Sequence, residues 1–220
     1  MAKSIFQLEV MNQSCPLCNS ESSEFYHSHQ QIFFICPCCS LIFLHNNLRL
    51  QTNKEFERYN LHQNNPYDTG YQSFVSPITA EIESRYSPLH QGLDFGSGKS
   101  SAISHILRSK NFDITEYDPF FSNNPLALQR TYDYIACCEV IEHFYHPFKE
   151  FSLLYSLLKP SGELICMTDL YSPSKNFETW YYKNDPTHVC IYTVETCEWI
   201  TQEFGFSNCD ILRRRIIFTK

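Results

Sequence analysis

The 220-residue chain holds no apolar stretch near the ~20 residues that span a bilayer, which excludes a helical membrane span. Its opening residues, MAKSIFQLEVMNQSCPLC, lack the sustained apolar run of a secretory signal, so cytoplasmic residence is expected. Positive charge is also scarce. Seventeen Lys and Arg stand against 24 Asp and Glu, a net charge of −7, so the broad basic footprint of a nucleic-acid binder is missing. No nucleic-acid or membrane partner is expected. The one basic run, Arg213-Arg214-Arg215, lies among Ile211, Leu212, Ile216 and Ile217 and reads as a strand whose alternate arginines reach water. Internal repeats and low-complexity tracts are absent. What remains is globular: 43% hydrophobic and 19% charged residues, enough for one full domain and a small appendage.

Without an export signal, the 11 cysteines read as reduced thiols and metal ligands, not as a disulfide framework. Five cluster between positions 15 and 39. Cys15-Pro-Leu-Cys18 and Cys36-Pro-Cys-Cys39 form two C-x-x-C pairs 17 residues apart, the spacing of a zinc ribbon. Two such turns complete a tetrahedral thiolate shell, with Cys38 left over. A closed four-thiolate site has no open position for a substrate, so the zinc is expected to be structural. Some 40 residues build little core alone, and a metal supplies what apolar burial does not. Removing it is expected to loosen residues 1–48 while the remainder still binds its cofactor. The other six cysteines lie mostly in apolar runs and receive no functional role.

Three regions follow: the ribbon (1–48), a tyrosine-rich linker and helical cap (49–90), and an alternating strand–helix region (91–220). In the cap, helices are expected over Glu55–Tyr59 and Ile78–Tyr86, with Pro77 in the first turn of the latter. From Gly92-Leu-Asp-Phe95 onward, strands at Phe112–Tyr117, Tyr132–Cys138 and Glu163–Thr168 alternate with helices at Ser101–Arg108, over Glu139–His143, at Phe148–Leu158 and near Val194–Phe204. Two strand-like runs within Cys209–Thr219 close the chain. Such alternation implies an α/β fold with a parallel sheet covered on both faces.

The functional centre is Gly92-Leu-Asp-Phe-Gly-Ser-Gly-Lys-Ser100. A phosphate-binding P-loop would need glycine where Leu93 stands, and a dinucleotide fingerprint would need glycine where Ser101 stands. What is left is an acidic residue ending a strand and then glycines, Asp94-x-Gly96-x-Gly98. This resembles the first motif of class I S-adenosylmethionine-dependent methyltransferases, with Ser100 in place of the last glycine. Three further segments carry the resemblance in order over residues 90–170. They are Asp118 at the end of the second strand, Tyr132-Asp-Tyr-Ile-Ala-Cys-Cys-Glu-Val-Ile-Glu-His143, and Leu157-Leu-Lys-Pro-Ser-Gly-Glu-Leu164. Arg58–Asn64, Gly70-Tyr71, Tyr117-Asp-Pro119 and Asp185-Pro-Thr-His-Val189 are similar to a methyltransferase type 11/23-like bacterial family that carries an N-terminal zinc ribbon.

The resemblance implies a Rossmann-like methyltransferase sheet and S-adenosylmethionine as cofactor. Asp94, Gly96, Ser97, Gly98, Asp118, Glu139 and Tyr71 are then the expected cofactor-binding residues, with Asp118 on the ribose hydroxyls. Only 14 residues separate Asp118 from Asp133, too few for the usual helix and strand. The sheet is therefore expected to be trimmed on the adenine side, with Phe120, Phe121 and Leu126 flanking the base.

For chemistry, Glu139, Glu142 and His143 stand at i, i+3 and i+4 and would share a helix face. The candidate catalytic residues are His143, His188 and Glu139; an imidazole suits proton transfer near neutral pH. The E-x-x-E-H segment also resembles one that binds magnesium in some quinone-precursor and RNA-end O-methyltransferases, so Mg on Glu139, Glu142 and His143 is a further expectation. Aromatic walls from Tyr71 and Trp180 fit a small-molecule acceptor. The competing reading is a non-catalytic zinc-ribbon adaptor with a vestigial cofactor pocket.

Overall fold

The computed structural model describes residues 12–61 and 64–220. The first eleven residues of the expected ribbon, and His62 and Gln63 of the cap motif, lie outside the described residues. The ribbon consists of β1 (Gln13–Ser14), β2 (Glu21–His27), β3 (Ile32–Ile35) and β4 (Ile42–Leu44), each antiparallel to the next. Its apolar residues Phe33, Phe34, Ile42 and Phe43 are wholly buried. They are not buried by the ribbon alone. A fifth strand, β9 (Cys190–Ile191), comes from the far half of the chain and pairs with β4, Ile42 opposite Ile191 and Phe43 opposite Cys190.

The cap contains α1 (Thr52–Asn60) and α2 (Thr69–Arg85). Asp68 caps α2 by accepting from the Tyr71 N–H at 2.7 Å, so the helix starts well before Pro77, which lies in its interior. Then come β5 (Gln91–Phe95), α3 (Ala102–Ser109), β6 (Asp113–Tyr117), β7 (Tyr132–Cys138), α4 (Pro147–Leu157) and β8 (Leu158–Met167). After β9 the chain forms α5 (Val194–Phe204), β10 (Asn208–Leu212) and β11 (Arg215–Thr219). Thr193 and Thr196 form a capping box at the start of α5, and Gly205 ends the helix at φ 79°.

The main sheet has the order β10-β11-β8-β7-β5-β6. Strands β6, β5, β7 and β8 are parallel, while β11 runs antiparallel to β8 and β10 to β11. β6 is the edge: between it and β7 the described chain contains a 3-10 helix (Pro125–Gln129) and no strand of this sheet. The sheet is trimmed on that side, as the short spacing predicts. Period-two alternation divides the core between the two faces. Tyr134, Ala136, Ile165 and Met167 pack with Val75, Ile78 and Ile82 of α2 and Ile103 and Leu107 of α3. Ile135, Cys137, Leu164 and Cys166 face Phe151, Leu154 and Ile200 of α4 and α5, in a core continuous with the ribbon. Among the described residues, no helix is long and apolar enough to cross a membrane.

Candidate active site

A cavity of about 750 Å³ opens at the carboxyl ends of β5, β6 and β7 and is roofed by Glu55 and Tyr59 of α1 and Tyr71 and Phe74 of α2. This is where open α/β sheets hold ligands. The glycine turn forms its floor. Gly96 (φ 77°) and Gly98 (φ 65°) take left-handed conformations that disfavour a side chain. At Gly96 a Cβ would come within 2.5 Å of Val140, whereas at Gly98 nothing lies within 4 Å of that position. Gly96 is thus closed against Val140, and the backbone is bare toward the cavity at Gly98. Between them the buried Ser97 hydroxyl lines the cavity and has no hydrogen-bond partner among the described residues.

Asp118 lies across from this turn and also lines the cavity. Its Oδ1 accepts from the Phe120 and Phe121 N–H groups at 2.8 and 3.0 Å, and Oδ2 from the Gly98 N–H at 3.0 Å. A carboxylate oxygen accepts two such bonds, so Oδ2 keeps capacity for one more. Phe120 and Phe121 line the cavity as expected; Leu126 does not, and is 64% exposed.

Asp94 departs from its expected placement. It is buried beneath the turn, does not line the cavity, and accepts from Ser101 and, at 2.8 Å, from Ser104 at the start of α3. Burial raises its carboxyl to about 6 against the pull of those two bonds. Its contribution is to fasten the turn to the helix.

The E-V-I-E-H segment is not the helix that its spacing predicts. Glu139 sits at φ 53°, and only Ile141–His143 form a single 3-10 turn, so Glu139, Glu142 and His143 share no helix face. Glu139 and His143 line the cavity, while Glu142 is fully buried behind them. Arg214 Nη2 donates to both Glu139 oxygens at 2.7 Å. Burial and the neighbouring Glu142 raise the Glu139 carboxyl to about 8 against that pairing. The basic run is accordingly not a plain strand. Arg213 turns the β10–β11 hairpin at φ 58°, Arg214 holds Glu139, and Arg215 pairs with Glu81 at 2.6 Å.

Glu142 accepts from Tyr182 Oη at 2.5 Å and from Thr168 Oγ1 at 3.1 Å, and burial raises its carboxyl. Two histidines meet it. His143 Nδ1 bonds the Thr187 carbonyl at 3.0 Å and His188 Nδ1 the Tyr182 carbonyl at 2.7 Å. Their ring centroids are 4.9 Å apart. A carbonyl only accepts, so each neutral ring carries its proton on Nδ1 and its lone pair on Nε2. Burial lowers the His188 pKa. The loop that delivers His188 is set by Asp185, which accepts from Thr187 N and Oγ1 at 3.0 and 2.6 Å and from Arg58 of α1 at 2.8 Å. Burial opposes ionisation of Asp185, but these bonds outweigh it and hold the carboxyl below the usual range.

Trp180 does not wall the cavity. It is buried among Tyr171, Phe177 and Tyr182 and donates to Asp169 at 3.2 Å. Sequence reading passes over Glu55 and Cys138 and credits Tyr71 and Trp180 ahead of Tyr59, yet Glu55, Tyr59 and Cys138 all line the cavity. Tyr59 stands edge-on to His143 at 5.5 Å.

A second constellation lies in the ribbon. The Cys15–Cys18 turn follows β1 and the Cys36–Cys39 turn follows β3; each ends in a left-handed residue, Asn19 or Ser40. The Cys15–Cys39 and Cys18–Cys36 sulfurs are 3.5 and 3.2 Å apart, and all four lie within 4.8 Å of one another. A tetrahedron with metal–sulfur bonds of ~2.3 Å has edges of ~3.8 Å, so the donor set fits one ion. Cys38 is exposed and outside the set.

The family of methyltransferase domains matches residues 50–211 of the chain. The chain belongs to this family. The expected enzyme class, an S-adenosylmethionine-dependent methyltransferase, is the one this membership gives. Curated proteins give no match at the sequence level. Among solved structures, the fold is similar to 1,6-didemethyltoxoflavin-N1-methyltransferase from Burkholderia thailandensis, bound to 1,6-didemethyltoxoflavin and S-adenosylhomocysteine. That similarity has a TM-score of 0.54 and 11% identity over 89% of this chain and 97% of that one. It is also similar to a SAM-dependent methyltransferase from Archaeoglobus fulgidus (TM-score 0.50, 17% identity, 70% and 100% covered). An O-methyltransferase family protein from B. thailandensis matches with TM-score 0.50 and 11% identity over 77% of this chain, which spans 62% of that protein's length.

Proposed function

We propose that this methyltransferase binds S-adenosylmethionine across the Gly96–Gly98 turn and methylates a small acceptor held under the α1–α2 cap. The cofactor, when bound, supplies a methyl group on a sulfonium centre for in-line displacement. The tight turn at Gly96, the bare backbone at Gly98 and the Ser97 hydroxyl hold its methionine part. Asp118 takes the ribose on its remaining lone pair, and Phe120 and Phe121 flank the adenine. Asp94 keeps the turn in place from below, and Tyr71 closes the cavity from α2. Glu139, His143 and His188 form the polar wall against which the acceptor loses its proton. The aromatic roof favours a flat, partly apolar acceptor, and the net charge of −7 disfavours nucleic acid. The four cysteines hold a structural zinc ion, in a protein that resides in the cytoplasm.

The unpartnered Ser97 hydroxyl beside the open Gly98 carries this reading. A buried hydroxyl costs free energy unless a ligand satisfies it. An adaptor with a vestigial pocket would have no reason to keep it. Calorimetry with S-adenosylhomocysteine tests the proposal: one site per chain is expected, with the fold stabilised by ~3–4 kcal/mol at 100 to 1,000 times Kd. Failure of both S-adenosylmethionine and S-adenosylhomocysteine to bind a folded, zinc-loaded protein would favour the adaptor.

A further inference from the structure

We infer that Glu150 of α4 reads the base of the cofactor, its carboxylate accepting a hydrogen bond from the 6-amino group, so that the site selects a 6-aminopurine over a 6-oxopurine. Glu150 stands in the first turn of α4 and lines the cavity. Its Oε2 is buried and has no hydrogen-bond partner among the described residues. A buried carboxylate oxygen without a donor is costly, more so than a lone hydroxyl. The helix dipole favours an acid in a first turn, but that attraction does not place the oxygen in a cavity wall or leave it dry.

The same cavity carries flat, apolar walls at Phe95, Tyr117, Phe144 and Leu153. Phe95 pairs with Tyr117 across β5 and β6 and stacks on it at 5.3 Å, while Phe144 meets Phe95 edge-on at 6.2 Å. Leu153 follows Glu150 by three residues, on the same side of α4. Tyr117 immediately precedes Asp118, so these rings begin beside the carboxylate assigned to the ribose. An aromatic slot with one open acceptor suits a purine that carries one exocyclic N–H donor. Because β6 is the last strand of the sheet on this side, the polar contact comes from α4.

An ionised carboxylate only accepts, so the group it meets is a donor. S-adenosylmethionine offers three kinds: the ammonium of its methionine part, the ribose hydroxyls and the 6-amino group of its base. The glycine turn and Asp118 take the first two in the cofactor reading given above, on which this inference rests. The third is left for Glu150. Other carboxylates of the cavity are engaged: Glu55 accepts from Tyr59 at 2.9 Å, Arg214 holds both oxygens of Glu139, and Arg58 holds Asp185. Among the described residues, Glu150 alone presents a buried carboxylate oxygen that nothing satisfies. A 6-oxo group would turn a lone pair toward that oxygen, and two facing acceptors are rejected.

The test is calorimetry of the full-length, zinc-loaded protein with S-adenosylhomocysteine and with S-inosylhomocysteine, which carries a 6-oxo group in place of the 6-amino group. Wild type is expected to bind the adenine compound at least tenfold more tightly, the worth of one hydrogen bond to a charged group. Glu150→Ala should lose at least tenfold for the adenine compound and little for the inosine compound. Glu150→Gln, whose amide both donates and accepts, should erase most of the preference. Asp118→Ala should weaken both compounds alike, because they share the ribose. Equal wild-type affinity for the two compounds, or a preference undiminished in a folded Glu150 variant, would overturn the assignment and leave the cofactor reading standing. Either variant decides if the other fails to fold. Binding of neither compound by folded wild type sinks both ideas.

Discussion

Removing the ion from the four-cysteine site should loosen more than the ribbon. A structural zinc contributes roughly 10–16 kcal/mol of apparent binding energy, as much as the ~5–15 kcal/mol that separates most folded domains from unfolded chain. The two cysteine turns will not hold β1–β4 in place without it. An independent ribbon would melt alone, but β9 ties this one to the chain just after His188. Freeing β4 removes its ladder to Cys190 and Ile191 and the Leu44 N–H bond to the Val189 carbonyl at 2.9 Å. On the order of three backbone bonds at ~1 kcal/mol each is ~3 kcal/mol, or about a hundredfold faster amide exchange. The cofactor turn depends on β5, β6 and β7, which pair within the other sheet, so its affinity should change little. The assay is hydrogen exchange read by mass spectrometry on zinc-loaded and chelated, fully reduced protein, with S-adenosylhomocysteine calorimetry alongside. Free exchange over residues 12–48 with unchanged protection over 187–192 would refute the coupling.

Asp118→Ala should weaken S-adenosylhomocysteine binding by about 1.5–3 kcal/mol and also lower the melting temperature, since three backbone N–H groups lose their acceptor. Unchanged affinity in a folded variant would remove Asp118 from the site. Gly96→Ala should destabilise the protein by roughly 1–3 kcal/mol, because its Cβ meets Val140 at 2.5 Å on a left-handed backbone; an unaltered denaturation midpoint would contradict this. For pH, Asp94 titrates at about 6 in the fold against 3.8 normally, so the folded state binds the proton more tightly. Its contribution is fully present below pH 3.8 and is lost as pH rises through 6. Asp94→Asn removes this dependence, so wild type should lose ground to the variant by up to ~3 kcal/mol over that interval, read from urea midpoints at each pH. A constant difference would sink the assignment.

The ribbon, the strand order's alternation and the glycine turn were legible because each is local in sequence. Two C-x-x-C pairs specify their own turns, and Asp94-x-Gly96-x-Gly98 specifies a bare backbone. Misreadings arose where tertiary contacts override a local pattern. The i, i+3, i+4 spacing of Glu139, Glu142 and His143 satisfies a helix, yet Glu139 is pulled into a left-handed turn facing Arg214, 75 residues away. Arg214 itself looked like a solvent-facing strand residue, because nothing nearby in the chain announces its partner. Asp94 has the right type and place for cofactor binding, but Ser101 and Ser104, seven and ten residues on, claim its carboxylate first. The union of ribbon and core through β9 was invisible for the same reason. A two-residue strand carries no pattern of its own.

The trimmed edge shows why the cap and the cofactor turn belong together. Loss of a strand beyond β6 leaves a row of backbone groups unpaired, a hazard for any sheet. Here Arg108 of α3 covers part of that row, donating to the Ile114 carbonyl at 2.9 Å and to Glu116 at 2.6 Å. Past the strand's end, Asp118 and Ser122 exchange N–H bonds at 3.1 Å and fold the chain back on itself. That short loop sets Phe120 and Phe121 where a neighbouring strand would otherwise border the cavity. The rings need a second surface, and α1 provides it: Phe56 stacks on Phe121 at 5.6 Å, and Tyr59 meets Phe120 at 5.7 Å. Tyr59 also contacts His143, and Arg58, one residue earlier, holds Asp185 in the loop before His188. A single nine-residue helix therefore touches the Phe120–Phe121 loop, the cavity roof, and the side that carries His143 and His188.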